Sequence, residues 1–163
     1  MTHWIFAGIT GLIYLIQSAI LCKLTVFGVT ADAVLISVLC YSMIFGREKG
    51  FIAAFTAGLL MDFSAGIFFG RHIIIYILAS ALASFLAENT FGKNFVTASI
   101  INFVVSLIVG AGMAIYLYIT KLDRNIVHFM LVTTPIYALY NLVVSIFIFV
   151  MIENLRKFSY RRE

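Results

Sequence analysis

Charge is what this sequence has least of. Asp, Glu, Lys and Arg together make up 11% of 163 residues, while 63% are hydrophobic. A soluble domain averages about 25% charged and roughly 45–50% apolar residues. The composition, with a mean hydropathy of +1.10, therefore excludes an ordinary soluble fold. Proline is almost absent, at one residue, and no low-complexity linker interrupts the chain. That argues for a single compact membrane domain, residues 1–163, with no soluble appendage. Cysteine is limited to Cys22 and Cys40, at or inside apolar stretches with no spacing that pairs them, which reads as free buried thiols. The three histidines, His3, His72 and His128, are far apart, and no two share a helical face with a carboxylate, so no metal site is expected. Ser-His-Asp, HExxH, P-loop and GxSxG patterns are missing. Ser64 lies near Asp62, but neither a positioned base nor an oxyanion site accompanies it. The sequence thus disfavours an enzyme, and no cofactor is expected.

What the chain does have is long apolar runs. At about 20 residues per span, they divide into six transmembrane helices in one all-α bundle, near residues 4–22, 29–45, 50–69, 72–88, 95–119 and 134–152. The first run has no basic segment before it and no cleavage site after it, so it reads as a retained helix. Pro135 behind Thr133 and Thr134 fits a first-turn position after a threonine cap, leaving residues 126–132 at the interface or re-entering it. With both ends cytoplasmic, the inner segments hold Arg47, Lys49, Lys93, Arg156, Lys157, Arg161 and Arg162, and the outer ones hold Lys23, Arg71, Lys121 and Arg124. Seven against four favours N-in, C-in topology. The net charge of +4 then reports topology and contact with anionic lipid, not nucleic-acid binding.

Within the third run, Gly58-Leu-Leu-Met-Asp62-Phe-Ser-Ala-Gly66-Ile-Phe-Phe-Gly70 places one carboxylate among three glycines. An intramembrane Asp faces protein or water and starts as a functional-site hypothesis, and glycines four apart allow close backbone approach. Asp62 either braces the turn at Gly66 or forms a contact site. Rows of small residues recur elsewhere: Ala79, Ala83 and Ala87; Ser106, Gly110 and Ala114; and Ala54 with Gly58. Such rows drive helix contact in lipid, either inside this bundle or against a partner. Gln17, Asn102 and Asn141 read as interhelical hydrogen-bonding groups, and Asp32 after Thr30 as a helix cap.

In sequence order, Asp32, Gly50-Phe51, Gly58-Leu59-Leu60-Met61-Asp62, Gly66, Gly70, Tyr76, Tyr140-Asn141 and a short basic tail resemble MreD, the bacterial rod shape-determining membrane protein family. The likeness covers nearly the whole chain, and the loop after Gly66 is bulkier than the family pattern. The resemblance implies a non-enzymatic inner-membrane component of the cell-wall elongation machinery. Its partners would be MreC, through transmembrane and periplasmic contacts, MreB filaments, a RodA-type glycosyltransferase and a class B penicillin-binding transpeptidase. It also implies a fold like the substrate-binding subunits of energy-coupling-factor vitamin transporters. On that reading MreC packs on a small-residue face whose outer end is shaped by Gly58, Asp62, Gly66 and Gly70. The alternative is a vitamin-binding transporter subunit itself. Ala7 and Gly11 fit its docking row, which fails at Leu15, and no polar-aromatic cluster beyond Tyr116 and Tyr118 is evident. A proton-coupled channel or carrier would want a second buried charge to partner Asp62.

Overall fold

A computed structural model describes residues 3–21, 25, 27–65, 70–89, 94–120 and 125–160, which are helical apart from short connections, with no strand among them. Helix α1 (His3–Ile16) continues into a π-helical turn (Gln17–Leu21). It is followed by α2 (Ala33–Phe45), α3 (Arg47–Ala65), α4 (Arg71–Glu88) and α5 (Phe95–Ile119). A short turn α6 (Ile126–His128), a π-helical turn (Phe129–Thr133) and α7 (Thr134–Tyr160) then form one run.

Three of these elements are long and apolar enough to cross a membrane: α4, α5 and the run Ile126–Lys157. Helix α3 falls outside that set because Arg47, Glu48 and Lys49 form its first turn, not a loop before it. Helix α2 corrects the expected 29–45 span. It begins only at Ala33, behind the Asp32 cap, and its 13 residues reach about 20 Å at 1.5 Å each, short of a hydrocarbon core of about 30 Å. Every residue from Ala33 to Ile44 is buried. Helix α2 is therefore the core rod around which the others pack.

Two antiparallel pairs flank it. In the α3–α4 pair, a Cβ on Gly58 would lie 2.5 Å from Ile73 Cα and 2.8 Å from Ile73 N, so the two backbones touch there. Gly50 plays the same part further along, against Ser42 of α2 and Ser80 of α4. In the α5–α7 pair, a Cβ on Gly110 would meet Thr134 Cγ2 at 2.7 Å. The small-residue rows are used inside the bundle. Ala79, Ala83, Ser106, Gly110 and Ala114 are buried, and Ala87 packs against the core. Neither row is an open face for a partner, which corrects that part of the expectation.

Residues 126–132 are helical and lead straight into α7, so Thr133-Thr134 caps nothing. Pro135 lacks an N–H, and its ring crowds the carbonyl four residues back. The π turn ending at Thr133 absorbs that mismatch and lets the helix continue. At the other end α7 runs to Tyr160, beyond the expected stop at 152, with Arg156 donating to Glu153 at 2.6 Å. Gly66, Cys22, Lys23, Lys93, Lys121, Arg124, Arg161 and Arg162 lie outside the described residues; Cys40 is fully buried.

Candidate functional site

The ends of α1 and α3 and the starts of α2, α4 and α6 meet at one end of the bundle, and most of the interhelical polar contacts gather there. Asp32 caps α2: its Oδ1 accepts from Leu35 N at 3.0 Å. The Tyr76 hydroxyl of α4 donates to the same carboxylate, at 2.9 and 3.1 Å. Asp32 N donates to Asn141 Oδ1 of α7 at 3.0 Å, and Asn141 Nδ2 donates to Ser106 Oγ of α5 at 3.0 Å. Gln17 Oε1 accepts the next free amide of α2, Val34 N, at 3.0 Å. The first turn of a helix leaves amides without intrahelical partners, and here side chains from other helices supply several of those partners. One node thus ties α1, α2, α4, α5 and α7.

Asp62 builds the second node. It lies in the last turn of α3 with its side chain fully buried. Its Oδ2 accepts from Gly70 N at 2.9 Å and Ile73 N at 3.3 Å. Its Oδ1 accepts from His72 N at 2.9 Å and pairs with His72 Nδ1 at 2.8 Å. The carboxylate therefore caps α4 from the neighbouring helix, where an anion also meets the positive end of the helix dipole. Gly70 leads into α4 with φ +99°, a conformation that disfavours a side chain. Arg71 Nη2 lies 3.0 Å from His72 Nε2. Arginine can only donate, so Nε2 is the acceptor and the imidazole proton sits on Nδ1, facing Asp62. The result is a carboxylate–imidazole–guanidinium chain that fixes Arg71, whose guanidinium also stands 6.0 Å above the Tyr116 ring. Ser64 takes no part in it, because its hydroxyl is exposed and donates to Leu60 O.

Between the two nodes is a cleft of about 350 Å³, within the usual 300–1,000 Å³ of small-molecule sites. Its polar lining is Thr30, Asp32, Arg71, His72, Tyr76, Thr133, Thr134 and Tyr137. This is the polar-aromatic cluster that sequence reading did not find. Tyr116 lies under Arg71, and Tyr118 is 54% exposed. The only advance signal was charge, in that Asp32, Asp62 and Arg71 interrupt apolar sequence. No family model, curated protein or solved structure matches this chain.

Replacing Tyr76 by phenylalanine keeps the ring but removes the hydroxyl donor to Asp32. Its thermal midpoint in detergent should fall by the equivalent of about 1–3 kcal/mol, the usual penalty for an unpaired buried polar group. An unchanged midpoint would mean that Asp32 finds its donor elsewhere.

Proposed function

We propose that this chain is a non-enzymatic, six-helix scaffold of the MreD type in a bacterial inner membrane, its short α2 enclosed by the other helices, with both termini cytoplasmic. It holds MreC, and through MreC the RodA-type glycosyltransferase and the penicillin-binding transpeptidase, in register with MreB. The observation that carries this reading is how the resemblance residues relate in space. Tyr76 and Asn141 each bond to Asp32, Asp62 bonds to Gly70, and Gly50 and Gly58 are close-contact points. Residues that match a family motif in order, and that make fold-fixing contacts, speak for a shared fold. None of them is poised to attack a substrate. With the buried rows excluded as docking faces, the approach for the MreC transmembrane helix is α1, where Gly8 and Gly11 face open space.

A second reading is supported by the cleft itself. Convergent polar and aromatic groups in a cavity of about 350 Å³ fit a ligand-binding subunit of energy-coupling-factor type. One experiment separates the two: affinity purification of the tagged chain from native membranes in mild detergent, with mass spectrometry of its partners. MreC and the elongation synthases are the expected company. An ATPase pair with its coupling protein would overturn the scaffold reading.

A further inference from the structure

Two hollows meet at Arg71. One is the polar cleft, and the other is an apolar groove of about 520 Å³ along the α4–α5 contact, past Ile74, Leu78 and Ile108, which are all more than half exposed. Arg71, Ile75, Val109 and Met113 line both, so the polar and apolar spaces are continuous. We propose that this joined site holds one bilayer phospholipid headed by a primary ammonium group. An acyl chain lies in the groove, the phosphate sits at Arg71, and the ammonium reaches Asp32. The proposal rests on the membrane placement given above but not on the choice of protein partners.

Shape supplies the first argument. A soluble metabolite would leave the groove empty, and a plain hydrocarbon would leave the cleft's polar groups unmatched; an amphiphile fills both. Charge supplies the second. Arg71 has five N–H donors and is held in place by His72, which Asp62 in turn fixes. No carboxylate pairs with Arg71 among the described residues, where the ion pairs are Arg156–Glu153 and Lys157–Glu153. Asp32 likewise forms no salt bridge among the described residues, and its basic neighbour is His72. It bonds to Tyr76, five residues beyond Arg71 and about 7.5 Å further along the α4 axis. The cleft therefore offers both a cation, Arg71, and a carboxylate without a salt bridge, Asp32, the complement of a phosphate followed by an ammonium. The third argument is Thr134, a lining residue only 5% exposed, whose Oγ1 has no hydrogen-bond partner. Such orphaned buried groups are uncommon, and a headgroup oxygen would satisfy this one. A purely anionic headgroup would instead set its charge against Asp32.

The test is native mass spectrometry of the full chain released from membranes containing phosphatidylethanolamine, phosphatidylglycerol and phosphatidylcholine in equal parts. One phosphatidylethanolamine should be retained per chain, preferred about tenfold, as expected when one charge-assisted contact separates the competitors. Gly112 lines the groove, and a Cβ there meets nothing within 4 Å. Gly112→Leu should therefore fill the groove and cut retention about tenfold without lowering the thermal midpoint. Asp32→Asn should abolish the headgroup preference. Because Asp32 also caps α2, Arg71→Gln is the second variant, and it should weaken retention of every phosphate-bearing lipid alike. Equal retention of phosphatidylglycerol, unchanged retention in Gly112→Leu, several unselective annular lipids, or a soluble zwitterion in place of lipid would each overturn the proposal. Release of the chain by alkaline carbonate would overturn the membrane placement itself.

Discussion

Asp62→Leu should unfold the Asp62 end of the α3–α4 pair and remove most of the protein from the membrane. The substitution strips the acceptor from three amides, those of Gly70, His72 and Ile73, and from the imidazole of His72. Each buried donor left unpaired costs about 1–3 kcal/mol, so the total loss is on the order of 4 kcal/mol or more, a large part of a typical net stability of about 5–15 kcal/mol. Asp62→Asn retains an oxygen for one side of the site but presents an NH₂ to the other, and it should lose roughly half as much. Thermal midpoints in detergent and steady-state levels in membranes read both variants. If Asp62→Leu accumulates and melts like the parent, the capping role is wrong. The carboxylate would then have to be sought as a contact for a partner.

Gly58→Ala should be strongly damaging for a single added methyl. The added carbon lands on Ile73 Cα and N, and backbone atoms cannot rotate aside as a side chain does. The α3–α4 pair must separate, and overpacking of this kind costs about 1–3 kcal/mol, sometimes more. Gly70→Ala is the informative comparison. There the added methyl meets nothing within 4 Å, and only the φ of +99° resists it, which costs roughly 1–2 kcal/mol. Paired melts should therefore rank Gly58→Ala below Gly70→Ala. The reverse order would show that turn conformation, not helix contact, limits this segment.

These two residues also show how far the sequence could be read. Asp62 and its glycines stood out because a carboxylate in apolar sequence is conspicuous, and its amide partners lie only 8 to 11 residues ahead. The Asp32 node was hidden, because Tyr76 is 44 residues away and Asn141 is 109. No local pattern announces such pairings; only the order of the packed helices brings them together. Helix α5 was legible to the residue and α4 to within one, since polar residues such as Arg71, Glu88 and Asn94 punctuate their ends. Helix α2 was not. A rod buried on all sides is as apolar as one facing lipid, so hydropathy alone could not reveal that it is short and internal. Pro135 misled for a different reason, in that its usual place in a first turn was assumed where a π turn accommodates it within a helix.

The serine hydroxyls carry a quieter consequence. Ser37, Ser42 and Ser84 each donate to a carbonyl of their own helix, so they satisfy themselves without choosing a neighbour. Toward the Phe45–Arg47 end, what joins the helices is mostly shape, with Asn102 reaching only the Cys40 sulfur at 3.5 Å and Ser145 meeting Ser99 at 3.3 Å. At the Asp32–Asp62 end the helices are bolted by carboxylates. The bundle is thus anisotropic along its length. Among the described residues, register is set by charge at one end and by close fit at the other, where Gly50 lies against Ser42 and Ser80.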